Sequence, residues 1–320
     1  MSTYLTELTL RLAHGVGLLP SSSREQNAAY FCGLQNADGG WSGREGSSDL
    51  YYTGFALRAL SILGELAGDR AARAGEFLRG KLAGQESIVD FFSLIYATQL
   101  LNASAGIDVF AELDPRWRNN VAEKLQRLRR DDGGFAKTFE GHSSSTYQTF
   151  LVLLCLEMLQ MPLEQPEQVI DFLNQRHQAE GGFLEIKAGK RAGVNPTAAA
   201  IASLKNLQAL DQDHIARTVE FLIDAQSDEG GFCANTRIPL ADLLSTFTGL
   251  LTLIDLQASE QIDRPALQRF VIQLQRPEGG FHAGLFDPAH DVEYSFYGLG
   301  CRALLAGLEA DDQPVAEGVN

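Results

Sequence analysis

The sequence predicts an all-α protein built as a double ring of helices, and three observations lead to this prediction. A Gly-Gly-aromatic motif recurs along the 320-residue chain at steps of 94, 48, 49 and 49 residues. The segments before the motif have one apolar face, whereas those after it are apolar almost all round. Finally, no long alternating run of Val, Ile and Thr predicts a strand.

The motif divides the chain into six repeats. Its five copies begin at Gly39, Gly133, Gly181, Gly230 and Gly279. The first step of 94 residues is twice 47, so we expect one repeat without the glycine pair, in FLRGKLAGQESIVDFFSLIYATQLL. A fixed period of this length is typical of repeat architectures.

Each repeat contains two classes of helix. An amphipathic helix ends at the glycine pair, because glycine accepts a positive φ. In the third repeat, the apolar residues that share one helix face are Trp117, Val121, Leu125 and Leu128. A loop and a second helix follow, such as TFLVLLCLEML or STFTGLLTLIDL, which has no polar face and must be buried on both sides.

Amphipathic helices can cover only one side of these apolar helices. We therefore infer an inner ring of six apolar helices surrounded by six amphipathic ones. The chain is predicted to be a single domain over residues 1–320. It would comprise an N-terminal helix within residues 1–20 (about 3–18), six repeats over about 24–310 and a flexible tail over 311–320.

Composition narrows the class of partner and the compartment. The chain has 26 Lys and Arg against 41 Asp and Glu, and this net charge of −15 argues against binding nucleic acid or an anionic membrane. No signal peptide is indicated, and the longest apolar stretch, residues 149–161, is too short to span a bilayer. The cysteines contain no C-x-x-C pair. We expect a reduced, soluble, cytoplasmic protein.

The units QNADGGW, QSDEGGF and QRPEGGF, with HQAEGGF and RRDDGGF as variants, resemble the repeat of the prenyltransferase and squalene-cyclase family. The resemblance covers about residues 24–310 and implies an α/α toroid of six hairpins, with an apolar central cavity open at one end. It is strongest to β subunits of protein prenyltransferases, above all the Rab-type geranylgeranyl transferase, which DLYYTGFALRAL also resembles. It implies a prenyl diphosphate substrate and an α-subunit-like protein partner.

The resemblance also implies a zinc site, but the sequence lacks two of its three ligands. Family members hold zinc with Asp and Cys of D-x-C-Y-S and with His of D-x-x-H-T. Asp242 matches the first segment, but Leu244 stands at the Cys position. Asp291 begins the second segment, but Tyr294 stands at the His position. One carboxylate cannot hold a catalytic zinc, so we expect none.

Other motifs of related toroids are incomplete as well. The family's diphosphate clamp, R-x-x-K-x-x-D, corresponds to TRIPLAD, in which Arg237 is out of register. Class II terpene cyclases supply their catalytic acid from a D-x-D-D motif. The most similar segment here is DQDH, at Asp211 to His214, and it begins an outer helix, where it would face solvent. The C-G-E-Q of thioester proteins is absent.

Three aspartates occupy the same position in their repeats, four residues before a Thr or Ser: Asp49, Asp242 and Asp291. In a closed toroid, we expect them to lie at one rim of the cavity. One interpretation is helix capping, which Asp favours. The other is a carboxylate cluster that binds a metal, with Mg²⁺ bridging a diphosphate, which neighbouring Glu293 and His290 slightly favour. The candidate catalytic residues are Asp242, Asp291 and Tyr294.

The candidate substrate-binding residues are cations and aromatics. Lys187, Lys190 and Arg191 precede the fourth inner helix, and Arg237 comes from the next repeat. These four could hold a diphosphate, or they are solvated loop charges.

Aromatics near the starts of the inner helices are Tyr51, Tyr52, Phe91, Phe92, Tyr96, Tyr147, Phe150, Phe247, Tyr294 and Tyr297. They could line an isoprenoid funnel or pack in the core, and Tyr51, Tyr52, Tyr147 and Phe247 are the binding candidates.

Three functions follow from these features. The first is a prenyltransferase-like enzyme that binds a prenyl diphosphate in the aromatic cavity and transfers without the zinc–thiolate site. The second, which the missing zinc ligands favour, is a non-catalytic toroid that binds an isoprenoid or a protein partner. The third is a terpene cyclase or lyase in which Asp242 or Asp291 is the acid.

Overall fold

The computed structural model describes residues 3–84 and 87–312, which form thirteen α-helices and two short β-hairpins. The helices that follow the loops are α3 (Leu50–Ile62), α5 (Ile88–Ala105), α7 (Thr146–Leu159), α9 (Val194–Asn206), α11 (Leu243–Asp255) and α13 (Val292–Asp311). The helices that precede them are α2 (Ser21–Gly33), α4 (Gly68–Gly80), α6 (Trp117–Gln126), α8 (Pro166–Asn174), α10 (Gln212–Asp224) and α12 (Arg264–Leu274). The N-terminal helix is α1 (Tyr4–Leu18), and the hairpin strands are β1 (Phe135–Ala136), β2 (Ser144–Ser145), β3 (His282–Gly284) and β4 (Asp287–His290).

The helices that follow the loops form a closed inner ring. Each packs against the next one along the chain, from α3 through α11 to α13, and α13 packs back against α3. Each helix of the outer set packs against the inner helix that follows it. The predicted α/α toroid is therefore confirmed.

Burial patterns distinguish the two helix classes. In α7, the consecutive residues 151–156 are all buried, and successive residues of an α-helix point about 100° apart, so the helix is enclosed on every side. In α12, the buried residues are Leu267, Phe270, Val271 and Leu274, which form one stripe. The sequence pattern predicted both arrangements. The predicted end of the outer helices was wrong, however, because α6 ends at Gln126 and a short turn separates it from Gly133.

The Gly-Gly-aromatic motif fixes each loop to the inner helix that follows. Gly133 has φ +88°, which favours glycine, and a Cβ on Gly134 would lie 2.4 Å from the ring of Phe172. The next residue, Phe135, is fully buried, and its N–H donates a 3.0 Å hydrogen bond to the hydroxyl of Thr149 on α7. The same bond joins Trp41 to Thr53, Phe183 to Thr197, Phe232 to Thr246 and Phe281 to Ser295.

Helix α1 crosses the end of the ring at which the inner helices finish. It packs against α13 and α3. The backbone N–H of Tyr4 donates to the Glu157 carboxylate near the end of α7, and Arg11 lies 2.9 Å from Asp255, the last residue of α11. The sequence predicted this helix but not its place, because only the fold brings these segments together.

Two further expectations concern the chain's end and membranes. Helix α13 runs to Asp311, so the tail predicted to start there begins as helix, while residues 313–320 of that tail lie outside the described residues. Within the described ranges, no helix is both long and apolar enough to cross a membrane.

Candidate functional site

A cavity of about 480 Å³ lies inside the inner ring. Side chains of α1, including Leu5, Leu8 and Leu12, line it at one end, and residues near the starts of the inner helices line it at the other. Small-molecule sites in proteins are typically about 300 to 1,000 Å³, so the cavity is large enough for a ligand.

Ten aromatic side chains line the cavity together with three alanines of α9. The aromatic lining residues are Tyr4, Tyr51, Phe55, Phe92, Tyr96, Tyr147, Phe150, Phe247, Phe296 and Tyr297. Helix α9 contributes the small side chains of Ala198, Ala199 and Ala202. The space is therefore shaped for an apolar ligand flanked by rings.

Seven of the ten aromatics selected from the sequence line this cavity: Tyr51, Phe92, Tyr96, Tyr147, Phe150, Phe247 and Tyr297. The other three do not belong to the lining. Phe91 is buried in the core, Tyr52 packs beside Gly43, and Tyr294 lies under the Arg44 guanidinium at 5.7 Å. Neighbouring residues of a helix point about 100° apart, so Phe91 and Tyr52 face away from the cavity while Phe92 and Tyr51 line it.

A carboxyl group and a phenol meet at the cavity wall. The hydroxyl of Tyr51 on α3 donates a 2.6 Å hydrogen bond to Oε1 of Glu293 on α13. Burial raises the pKa of Glu293, the bond from Tyr51 lowers it, and the nearby charge of Asp291 raises it again. Burial also raises the pKa of the Tyr51 phenol, which is therefore a neutral donor.

Glu185 is a second carboxyl in the cavity lining. It lies in the loop before α9, where its backbone carbonyl accepts a 2.9 Å hydrogen bond from Thr146. Burial raises the pKa of its side chain as well. The cavity thus contains two carboxyls that hold protons more readily than ordinary glutamates do.

Arg58 on α3 brings a positive charge into the lining. Its guanidinium carbon lies 4.5 to 6.0 Å from the ring centroids of Phe55, Phe92, Tyr96 and Phe296. Sequence reasoning did not select Arg58 as a site residue. One signal was present, because it is a charged residue inside the otherwise apolar segment DLYYTGFALRAL.

The three aspartates at the shared offset cap inner helices. Asp49, Asp242 and Asp291 accept hydrogen bonds of 2.8 to 2.9 Å from backbone N–H groups at the starts of α3, α11 and α13. Burial raises the pKa of Asp49 and Asp242. Within residues 3–84 and 87–312, no three His, Cys, Asp or Glu side chains cluster closely enough to hold a metal ion. Helix capping accounts for the position of the three aspartates, and their role in Mg²⁺ binding or catalysis stays a prediction.

A model of the prenyltransferase alpha-alpha toroid domain matches residues 9–83 and 197–319, more than half of the chain. The chain belongs to this family. No curated protein matches it by sequence.

Solved structures share the toroid fold. Candida albicans protein geranylgeranyltransferase-I complexed with GGPP is 16% identical with a TM-score of 0.62, over 91% of this chain and 89% of that chain. A variant of the type II terpene cyclase MstE from Scytonema, in complex with geranylgeranyl dihydroxybenzoate, is 15% identical with a TM-score of 0.63, over 95% and 99%. A glycosidase variant is 12% identical with a TM-score of 0.56, over 94% and 97%. At these identities, the likeness establishes the fold alone.

The zinc site implied by the prenyltransferase resemblance does not fit the residues of this chain. Leu244 lines the cavity with an aliphatic side chain. Tyr294 is a neutral phenol, because burial raises its pKa to about 12. Only Asp242 could supply a ligand, and it caps α11. Structural and catalytic zinc sites need at least three protein ligands.

The loop cations of this toroid lie outside the cavity lining. Lys187, Lys190, Arg191 and Arg237 are exposed. Their loops are neighbours, since the Val194 N–H donates a 3.0 Å hydrogen bond to the Ala234 carbonyl. Their role in holding a diphosphate stays a prediction.

Proposed function

We propose that the protein binds an isoprenoid chain in its central cavity. One observation carries the proposal: the closed ring leaves a cavity of about 480 Å³ whose wall is mostly aromatic and aliphatic. Burying a long apolar chain against such a wall is favourable. Two proteins of similar fold were solved with geranylgeranyl compounds, GGPP in the transferase and geranylgeranyl dihydroxybenzoate in the cyclase.

Calorimetric titration with geranylgeraniol tests this proposal. The unmodified protein should bind the alcohol, and Ala198→Phe should abolish binding, because Ala198 lies on the cavity wall. Ala72→Phe is the matched control on the exposed face of outer helix α4 and should leave binding unchanged. An unmodified protein that does not bind geranylgeraniol would contradict the proposal.

Prenyl transfer from a diphosphate has weaker support than binding of the chain. A diphosphate needs several cations, and the four loop cations lie outside the lining, whereas Glu185 and Glu293 lie within it. We therefore centre the proposal on the hydrocarbon chain. Prenyl transfer and an α-subunit-like partner stay predictions.

A second candidate function is acid-initiated chemistry on a double bond of the bound chain, and the Glu293–Tyr51 pair favours it. A carboxyl with a raised pKa can carry a proton near neutral pH. Its O–H bond would break as a C–H bond forms, leaving a carbocation that aromatic rings stabilise. Transfer of a proton from a neighbouring carbon to the Glu293 carboxylate would then form a double bond and restore neutrality to both groups. Glu293 replaces Asp242 and Asp291 as the favoured acid, because those two cap helices outside the lining.

Incubation with geranylgeraniol in heavy water tests this second candidate. Deuterium should enter the carbon skeleton with the unmodified protein and with Glu185→Gln, but not with Glu293→Gln. Both variants replace a cavity carboxyl, so they are matched. Equal incorporation by both variants, or none by the unmodified protein, would rule out Glu293 as the acid.

A further inference from the structure

The guanidinium of Arg58 is part of the cavity lining. Burial raises the pKa of Glu293 and the charge of Arg58 lowers it, so the two groups interact without forming a close ion pair. The Nε of Arg58 is buried without a hydrogen-bond partner, and Arg58 makes no ion pair with another described residue. A guanidinium has five N–H donors and no acceptor. An unpaired cation in an apolar chamber is unfavourable unless something else compensates it.

Aromatic rings compensate this charge only in part. Four rings surround the guanidinium, with the nearest, Phe55, 4.5 Å away from centroid to carbon. Cation–π attraction stabilises the charge. Ring faces supply no strong acceptor, however, so the N–H groups of Arg58 stay available to a ligand.

Ser93 on α5 adds a second unpartnered donor beside Arg58. It lines the cavity, is 1% exposed, and its Oγ has no hydrogen-bond partner among the described residues. A Cβ placed on Gly54 would lie 3.8 Å from both Nη2 of Arg58 and Oγ of Ser93. The two donors therefore both lie close to Gly54, where α3 packs against α5.

The charges elsewhere in the lining distinguish Arg58 from its surroundings. Lys205, the other cation of the lining, lies 3.5 Å from Asp255, which also pairs with Arg11. The two cavity glutamates would repel a multiply charged head group whenever they are ionised. One unpaired guanidinium and one hydroxyl match a head group with a single negative charge.

We infer that Arg58 and Ser93 form an anion-binding site inside the cavity, which holds one carboxylate of an isoprenoid acid. The inference rests on the proposed function and names its ligand class.

Calorimetric titrations with three ligands of the same carbon chain test the inference: geranylgeraniol, geranylgeranoic acid and geranylgeranyl diphosphate. At a pH where the acid is ionised, it should bind at least about tenfold more tightly than the alcohol. Equal affinities would overturn the anion site while leaving the proposed function intact. Failure of all three to bind would overturn the proposed function itself. A diphosphate that binds more tightly than the acid would overturn the assignment to a single charge.

Variants assign the preference to the two donors. Arg58→Gln should remove the preference for the acid, measured as the ratio of acid affinity to alcohol affinity in the same variant, whereas Arg58→Lys should keep part of that ratio. Arg24→Gln is the control, because Arg24 is exposed on outer helix α2 and lies outside the lining. Thermal unfolding checks that each variant folds, and Ser93→Ala supplies a second test with a smaller loss of preference. A preference that survives in both Arg58→Gln and Ser93→Ala would overturn the inference.

Discussion

The hydroxyl of Tyr51 and the carboxylate of Glu293 are hydrogen-bonded at 2.6 Å, although they lie 242 residues apart in the sequence. Tyr51 is on α3 and Glu293 is on α13, so this bond joins the first inner helix to the last on the cavity side. The two titratable groups of this hydrogen bond thus lie where the ring closes, and both line the cavity of the proposed ligand.

Tyr51→Phe should raise the pKa of Glu293 and weaken the fold. The bond from Tyr51 favours the charged carboxylate, so its loss favours the protonated form. Loss of a hydrogen bond to a buried partner costs about 1 to 3 kcal/mol in free energy of unfolding. Carbon-13 NMR of labelled glutamate and denaturant unfolding measure the two effects. Tyr52→Phe, a neighbour outside the lining, should change neither, and a pKa of Glu293 that stays constant in Tyr51→Phe would contradict the prediction.

The cavity glutamates should make stability fall as pH rises. Burial raises the pKa of Glu185 and Glu293, so the folded protein holds protons that the unfolded chain releases. This contribution is fully present below the ordinary glutamate pKa of about 4.3 and is lost as pH rises from there through the raised folded values. The double variant Glu185→Gln, Glu293→Gln cannot lose it.

Urea unfolding of both proteins across this pH range measures that contribution. The free energy of unfolding of the double variant, relative to the unmodified protein, should increase as pH rises. Taking the difference at each pH cancels the remaining carboxylates and any constant cost of the substitutions. A difference that does not vary with pH would show that the two glutamates have ordinary pKa values.

Thr246→Val should destabilise the toroid more than Thr252→Val. The Thr246 hydroxyl accepts the N–H of buried Phe232, so its removal leaves a buried donor unsatisfied, at a cost of about 1 to 3 kcal/mol. Thr252 on the same helix donates only to the Thr248 carbonyl, one turn before it. Chemical unfolding compares the two variants. Equal losses of stability in the two variants would mean that the hydrogen bond between Phe232 and Thr246 adds nothing beyond the effect of replacing a hydroxyl with a methyl group.

Charge reversal of the basic loop tests the predicted diphosphate site. If the loop holds a diphosphate, Lys190→Glu with Arg191→Glu should weaken binding of geranylgeranyl diphosphate and leave thermal unfolding unchanged, since both residues are exposed. Affinity for geranylgeraniol serves as the internal control. The same diphosphate affinity in the double variant would remove this loop from the site.

The protein should purify without stoichiometric zinc. Leu244 and Tyr294 stand where the prenyltransferase resemblance places Cys and His, and neither is a usual zinc ligand. Elemental analysis after dialysis without chelator measures the metal content. One tightly bound zinc per chain would overturn this account of the two positions.

Much of the fold could be predicted because its signals are local. The glycine pair lies in the loop after an outer helix, and the aromatic that follows is buried wherever the pair occurs. Helices without a polar face had to lie inside. Seven cavity aromatics followed from the same logic, since they lie near the starts of the inner helices.

The chemistry of the cavity depends on tertiary packing and was less predictable. Arg58 and Ser93 lie on different helices, and only the packing of α3 on α5 brings them to one spot. Glu293 was noticed only as a neighbour of Asp291, because nothing local shows that it meets Tyr51 across the ring closure. Likewise, the apolar face of α1 does not reveal which end of the ring it covers.

Photolabelling tests the central claim most directly. A geranylgeraniol analogue with a diazirine on its chain would be irradiated with the full-length protein, and the labelled residues would be mapped by mass spectrometry. If the cavity binds the chain, labels should fall on its lining residues on α1 and on the six inner helices α3, α5, α7, α9, α11 and α13, and excess geranylgeraniol should suppress them. Labels confined to outer helices and loops, or labelling that the alcohol does not suppress, would contradict the claim.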